Sequence, residues 1–387
     1  MSVQLFPEAT EEQRLMADSA IRVMEAEYPL TAVREAAEGA EQAGPRDEKL
    51  RRALGGLGCY GLLAAEDDGG GSLSGNGVAD AAILAAERGA RLQPGPFVGT
   101  QVVIASLSRA GRAGIGTAAI RGDVLASLLS GEAGATWAID GLAGDPRGPR
   151  LAVREDGGDL VLSGKISAVQ DAGECDWILV STGSGGTVRH VLLGHSDAGV
   201  SLEKADGLDL TRRQFTLILD DVRVPATAVI DAPGLADWQL AAASALSAAE
   251  SVGAMDANFS LALEYSKART AFGRPIGSFQ GLKHLLASTS LGLEMSKAVV
   301  ATAASALGAG QPDGVILASI ARAFVSEKAV DLTQNCFQVF GGIGFTWEHD
   351  QHLYMRRLAT EAYMFGSPAW HRKRIWRLSK QAEVASA

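Results

Sequence analysis

The sequence predicts an α+β chain built in three successive parts: helical, then β-rich, then helical again. Three observations carry this. Apolar residues recur at helical spacing near the start of the chain, and they do so again after Pro225. Between these stretches the pattern breaks into short β-like runs divided by Gly, Asp and Pro. The expected parts are an N-terminal α-helical domain over residues 1–125, a middle β-barrel or sandwich over 126–228, and a C-terminal helical domain over 229–387.

Taken in order, Thr10-Glu-Glu-Gln13 resembles a capping box, with Met16, Ala20, Val23 and Met24 at helical spacing behind it. A further helix is expected at 79–90. It follows the glycine-rich stretch 66–77, which cannot continue a helix and reads as a loop or as a linker between domains. The β-like runs are Leu160–Leu162, Trp177–Val180, His190–Leu193 and Phe215–Leu219. Long helices are then expected over 239–266, 280–308 and 314–336, with Val252, Met255, Phe259 and Leu263 on one face and Ile316, Ile320 and Phe324 on another.

The 387 residues are 47% hydrophobic and 21% charged, which excludes a disordered or fibrous chain. With 35 Lys and Arg against 45 Asp and Glu, the net charge of −10 disfavours nucleic acid or an anionic membrane surface as the main partner. Cys59, Cys175 and Cys336 stand far apart without a CxxC spacing, which fits a reducing cytoplasm rather than a disulfide framework. The acidic N-terminus does not read as a secretory signal, and no apolar run is long enough to predict a membrane span.

Two clusters concentrate charged, aromatic and glycine residues. One is Arg269-Thr-Ala-Phe-Gly-Arg-Pro-Ile-Gly277, continuing through Phe279, Gln280, Lys283 and His284. The other runs from Gln338 through Gly341, Gly342 and Gly344 to Asp350. Their glycines permit close backbone approach to a phosphate, although such runs also simply join helices. Neither fits the GxGxxG or GxxxxGK[ST] pattern, so Rossmann and P-loop readings fail. His349 and His352 supply an HxxH pair without a third ligand in evidence, so no metal is expected and packing around the glycine turn is the reading.

Together, RTAFGRPIGSFQGLKHLLA and QVFGGIGFTWEHDQHLYMRR resemble the acyl-CoA dehydrogenase family. The likeness extends to LGCYGLLAAEDDGGG and DLTRRQFTLILDDVRVPA, and GFTWEHDQHLYMRR with FGSPAWHRKR resembles the actinobacterial branch acting on CoA thioesters of steroid side chains. The resemblance implies a helical domain, a β-barrel and a four-helix bundle enclosing FAD. The flavin accepts hydride from the β-carbon of an acyl-CoA while a carboxylate removes the α-proton. It implies FAD contacts at Arg269, Thr270, Ala271, Phe279 and Gln280, and at Gln338, Val339, Phe340, Gly341 and Gly342 for an FAD shared with a neighbouring subunit. An electron-transfer flavoprotein is the implied acceptor, and a dimer or tetramer the implied assembly.

The chain departs from the family where the base belongs. Aligning MRR at 355–357 puts Phe365 at one family base position, and counting thirty residues back from Gly273 puts Ala243 at the other. Neither can accept a proton. Glu250 and Glu361 lie nearby but are displaced by roughly 6–10 Å along a helix, so each reads either as a displaced base or as an ion-pair partner. Beside the flavin, the family's TEPxAGSD gives way to the stretch Thr136–Asp145, and Ala168 and Gln170 replace the expected Trp and Thr. Trp137 reads either as a substitute ring partner or as core. Kept cradle residues with both bases lost imply the base-lacking subunit of a hetero-oligomeric acyl-CoA dehydrogenase. The rivals are a self-sufficient enzyme with a displaced base and a non-catalytic acyl-CoA-binding paralogue.

Overall fold

The computed structural model describes residues 3–39, 43–115, 118–139, 151–184 and 187–386. The chain opens with α1 (Glu11–Glu27), and its first turn is closed as its sequence dictates. Thr10 Oγ1 accepts from Gln13 N at 3.2 Å while the Gln13 side chain accepts from Thr10 N at 2.9 Å. There follow α2 (Leu30–Ala37), α3 (Ala43–Gly56), α4 (Gly77–Ala90), α5 (Phe97–Arg112) and α6 (Ala118–Leu129). The glycine-rich stretch before α4 is a loop inside this helical part, not a linker. Asp80 holds it by accepting from Leu73 N and Ser74 Oγ, both at 2.7 Å.

The middle part carries β1 (Ala135–Ala138), β2 (Ala152–Asp156), β3 (Asp159–Gln170), β4 (Trp177–Ser184), β5 (Thr187–Gly194), β6 (Val200–Ala205), β7 (Gln214–Pro225) and β8 (Val229–Ile230). They form two four-stranded sheets, ordered β1-β4-β5-β8 and β2-β3-β7-β6, with β1 and β4 the parallel pair. Leu162, Ile166, Ile178, Val180 and Leu217 fill a core between the sheets. Each of the four β-like runs read from the sequence lies within one of β3, β4, β5 and β7. The β3–β7 ladder loses register between Ile166 and Val169, and Ala168, at this irregularity, takes a φ of +57°.

After β8 come α7 (Leu235–Ala268), a small hairpin of β9 (Thr270–Ala271) and β10 (Arg274–Pro275), then α8 (Gln280–Gly308), α9 (Gly314–Phe340), α10 (Gln351–Glu361) and α11 (Pro368–Ser386). Helix α9 packs against α7, α8 and α11. Val252 and Met255 are core, as their spacing predicts. The stripe Ile316, Ile320, Phe324 is not: these residues are exposed or half-buried, and α9 turns the smaller Ala318, Ala321 and Val325 inward. Small residues win that face because the neighbouring helices approach closely.

The same logic joins the two helical parts. A Cβ on Gly89 of α4 would lie 1.9 Å from the Glu250 carbonyl oxygen, and one on Gly253 of α7 would lie 1.8 Å from the Ala86 carbonyl oxygen. Backbone thus meets backbone where α4 crosses α7, a contact any side chain at either glycine would force apart.

Candidate functional site

Two regions gather the residues singled out in the sequence. The first is on the outside. The β9–β10 hairpin turns through Phe272 and Gly273, whose φ values of +52° and +77° suit a two-residue turn with both central residues left-handed. Arg269, Thr270 and Gln280 are exposed around it, and Ala271 and Phe279 are half-buried. Phe272 is 95% exposed and touches Phe279 edge-on, with ring centroids 6.2 Å apart. The guanidinium of Arg274 lies 4.1 Å over the Phe279 ring.

The second cluster lies close to the first. Tyr265, four residues before Arg269, meets Phe340 with ring centroids 5.0 Å apart. Phe337, Gln338, Gly341 and Phe345 line a surface cavity of about 520 Å³ with Thr333 and Met355. That volume is in the range of small-molecule sites. Gln338, Gly341 and Gly342 are exposed, and a Cβ on Gly342 would meet nothing, so its backbone is open to approach. Val339 and Phe340 differ from expectation. Their side chains are buried in the core, because α9 must turn this part of its last turn inward to close the bundle. Neither is among the residues that line the outer cavity. His349 and His352 pack as rings, His349 against Phe340 at 4.2 Å and His352 edge-on to Trp347 at 4.7 Å.

The inner region lies where the β-rich part meets the bundle. Gly99, Thr136, Trp137, Ala168, Gln170 and Phe365 line a cavity of only about 20 Å³. Trp137 and Phe365 stack there, centroids 5.9 Å apart and planes 16° from parallel. Asp140–Asp145, the rest of the stretch matched to the family's TEPxAGSD, lie outside the described residues. Ala243 is wholly buried in the bundle core.

Next to this cavity is a buried ion network. Arg212, 6% exposed, donates to Glu361 Oε1 at 2.6 Å and pairs with Glu250 Oε1. With its amide oxygen turned toward Arg212, Gln170 accepts at 2.7 and 2.8 Å. Ser247 Oγ donates to Glu361 Oε2 at 2.5 Å. Arg357 pairs with Asp209 at 2.7 Å and reaches to 3.6 Å from Glu250. Burial holds the Arg322 guanidinium down to about 10, and its Nε and Nη2 donate to the carbonyls of Glu361 and Met364. Neither Glu250 nor Glu361 lines the small cavity. Both are committed to arginine instead.

Several residues that shape this region escape a reading of the sequence. Ser181 accepts from Trp137 Nε1 at 2.8 Å and sits 3.0 Å from His190 Nδ1, while burial lowers His190 to about 4. His371 Nε2 lies 3.1 Å from the Phe365 carbonyl oxygen, and burial, with Arg322 and Arg374 nearby, lowers it to about 3. No local motif announces them, because their partners come from other elements. The Gly366 turn is the one usable signal: its φ of +115° follows Phe365 at +58°.

Residues 234–379 match the family described as "Acyl-CoA dehydrogenase, C-terminal domain". The chain is 32% identical over 323 residues to the acyl-CoA dehydrogenase IpdE2 of Mycobacterium tuberculosis, an alignment spanning 83% of this chain and 84% of that protein. Among solved structures, a Tcur3481-Tcur3483 steroid ACAD variant superposes with a TM-score of 0.85 at 25% identity, covering 97% of this chain and 99% of that one. The ChsE4-ChsE5 complex from Mycobacterium tuberculosis shares the fold, with a TM-score of 0.82 at 22% identity over 97% and 98% of the two chains. With its three-part fold, its two matched clusters and these relatives, the chain belongs to the acyl-CoA dehydrogenase family, on its actinobacterial, steroid-related branch.

Proposed function

We propose that this protein is the base-lacking subunit of a cytoplasmic, FAD-dependent, hetero-oligomeric acyl-CoA dehydrogenase. The observation that carries the reading is the fate of the four residues that could have held the base. Ala243 and Phe365 have no proton acceptor, and Glu250 and Glu361 are both tied to Arg212 away from the cavity. A general base must stand within hydrogen-bond reach of the proton it removes.

The outer site fits part of an FAD. Arg269 offers a cation for pyrophosphate, Gly341 and Gly342 offer approachable backbone, and the cavity beside Gln338 has room for a nucleotide portion. Bound FAD supplies the hydride acceptor. This chain's residues would hold and orient it across a subunit boundary, with the acyl-CoA and the base supplied by a homologous partner. The heteromeric ChsE4-ChsE5 relative supports that arrangement, and a structure described as an electron transferring flavoprotein shares the fold at a TM-score of 0.83. An electron-transfer flavoprotein is the acceptor this reading expects.

The test is dye-linked turnover of acyl-CoA thioesters, steroid side-chain thioesters included, by the purified chain and by the chain co-expressed with a homologous subunit. Loss of the base predicts activity about 10²–10⁴-fold or more below that of the complex. Robust turnover by the pure chain, abolished by Glu250→Gln, would install a self-sufficient enzyme with a displaced base.

A further inference from the structure

The inner cavity does not fit a flavin ring, and its packing explains why. Its volume of about 20 Å³ is room for about one water molecule, far below the roughly 300 Å³ at which small-molecule sites begin. We propose that the Trp137–Phe365 stack is a built-in plug, filling the place where a family member would seat the isoalloxazine ring and the thioester, so that this chain takes neither into its own interior.

The plug is fixed from both sides. On the β side, the indole Nε1 donates to Ser181 Oγ at 2.8 Å, and Ser181 is backed by His190 at 3.0 Å. On the helical side, Phe365 holds a left-handed φ of +58°, a conformation costly for an aromatic residue unless its surroundings impose it. His371 meets the Phe365 carbonyl oxygen at 3.1 Å in that conformation. Gly366 is required next in line: a Cβ there would lie 2.7 Å from the Trp370 ring and 2.9 Å from His371 Nε2. Two buried aromatic residues, one held by its indole N–H and the other by its backbone carbonyl, are a packed interior rather than a collapsed pocket ready to reopen. The outer cavity beside Gln338, about 520 Å³, is built from other residues and is untouched by the plug. The two halves of a flavin site have therefore separated in this chain.

This inference rests on the family placement used in the proposed function, but on packing rather than on the missing base, so each has its own test. Lumiflavin carries the ring without the nucleotide and reports on the inner cavity alone; ADP carries the nucleotide half and reports on the outer site alone. Titration of the purified chain, followed by lumiflavin fluorescence quenching and by calorimetry for ADP, is expected to show ADP binding without lumiflavin binding. The Trp137→Ala, Phe365→Ala double variant is expected to bind lumiflavin at least tenfold more tightly than the wild type while its ADP affinity stays the same. Where the double variant does not fold, Phe365→Leu, which shortens the plug and keeps an apolar side chain, gives the same comparison. Stoichiometric binding of lumiflavin by the wild type overturns the plug. So does a folded double variant that gains none. A wild-type chain that binds lumiflavin yet stays inactive on acyl-CoA loses the plug and keeps the proposed function; one that turns over acyl-CoA loses the proposed function.

Discussion

Arg212 donates to Glu361 across 2.6 Å, joining residues 149 positions apart and tying the β-rich part of the chain to the bundle. The same guanidinium holds Glu250 on α7. A buried pair of this kind is costly to break from one side, because the remaining charge has neither water nor partner. Arg212→Ala leaves two buried carboxylates without their main cation and is expected to cost about 3–5 kcal/mol. Chemical denaturation measures this as a lower midpoint at unchanged slope. A midpoint equal to wild type would mean the network contributes nothing to folding, and the structural role assigned to Glu250 would go with it.

Glu250→Gln separates the two readings of that residue. As an ion-pair partner it should lose stability and leave the turnover of an assembled complex unchanged. A displaced base would show the reverse, full stability with turnover gone.

How much of this was legible in the sequence depends on the range of the contact. The α1 capping box is local, and Thr10 with Gln13 announced it. The strands around Trp177 and Phe215 were legible for the same reason, since each is a short β-branched or aromatic run between turn residues. The Arg269 and Gln338 segments could be picked out through motif spacing, and the structure brings the two close together on the outside. The inner cavity was not. Whether Trp137 is core or a ring partner depends on Phe365, which reaches it only after the β part docks on the bundle. Glu250 and Glu361 could be located on their helices from spacing, but Arg212, which decides their role, lies on a different part of the chain. The exposed stripe on α9 failed for a related reason: periodicity marks an apolar face without saying which neighbour is close enough to demand alanine instead.

Acid should act on the stability of the protein through two buried histidines. His190 and His371 are buried, and burial lowers them to about 4 and about 3 from the ordinary histidine value of 6.5. Between pH 6.5 and 4 these two rings bind protons in the unfolded chain and not in the folded one, so their contribution to stability falls as pH falls through that window, opposed in part by Asp47, whose carboxyl burial raises to about 7. Each histidine contributes up to about 1.4 kcal/mol per pH unit there. Thermal melts across this range should show the decline, and His190→Phe should flatten it. The same pH dependence from 6.5 to 4 in the wild type and in a folded His190→Phe variant contradicts the buried, neutral state of that ring.

Arg269→Ala is expected to lower the flavin content of whatever assembly the chain forms. A charge-assisted contact to pyrophosphate is worth about 1.5–3 kcal/mol, roughly ten- to a hundredfold in affinity. The ratio of flavin to protein absorbance in the co-purified complex measures it. Unchanged occupancy in a folded variant would leave Arg269 as a helix-end residue only.

Phe272 gives the sharpest test of a site shared between subunits. It sits in the left-handed region at a hairpin tip with its ring 95% exposed, so the chain bears a backbone cost there without burying anything. For an ordinary residue that cost is roughly 1–2 kcal/mol, and asparagine, which tolerates the conformation, relieves part of it. Phe272→Asn should therefore leave the isolated chain as stable or slightly more stable, whereas an assembly that buries the ring should be weakened. A site split across an interface also makes flavin and assembly support each other by mass action. Light scattering at micromolar concentration, with and without FAD, should show the wild-type chain or its complex as a dimer or tetramer favoured by FAD, and the variant shifted toward smaller species with less flavin. If mass and flavin content are the same in both, the ring faces solvent in the assembly as well, and the outer segment serves its own chain alone.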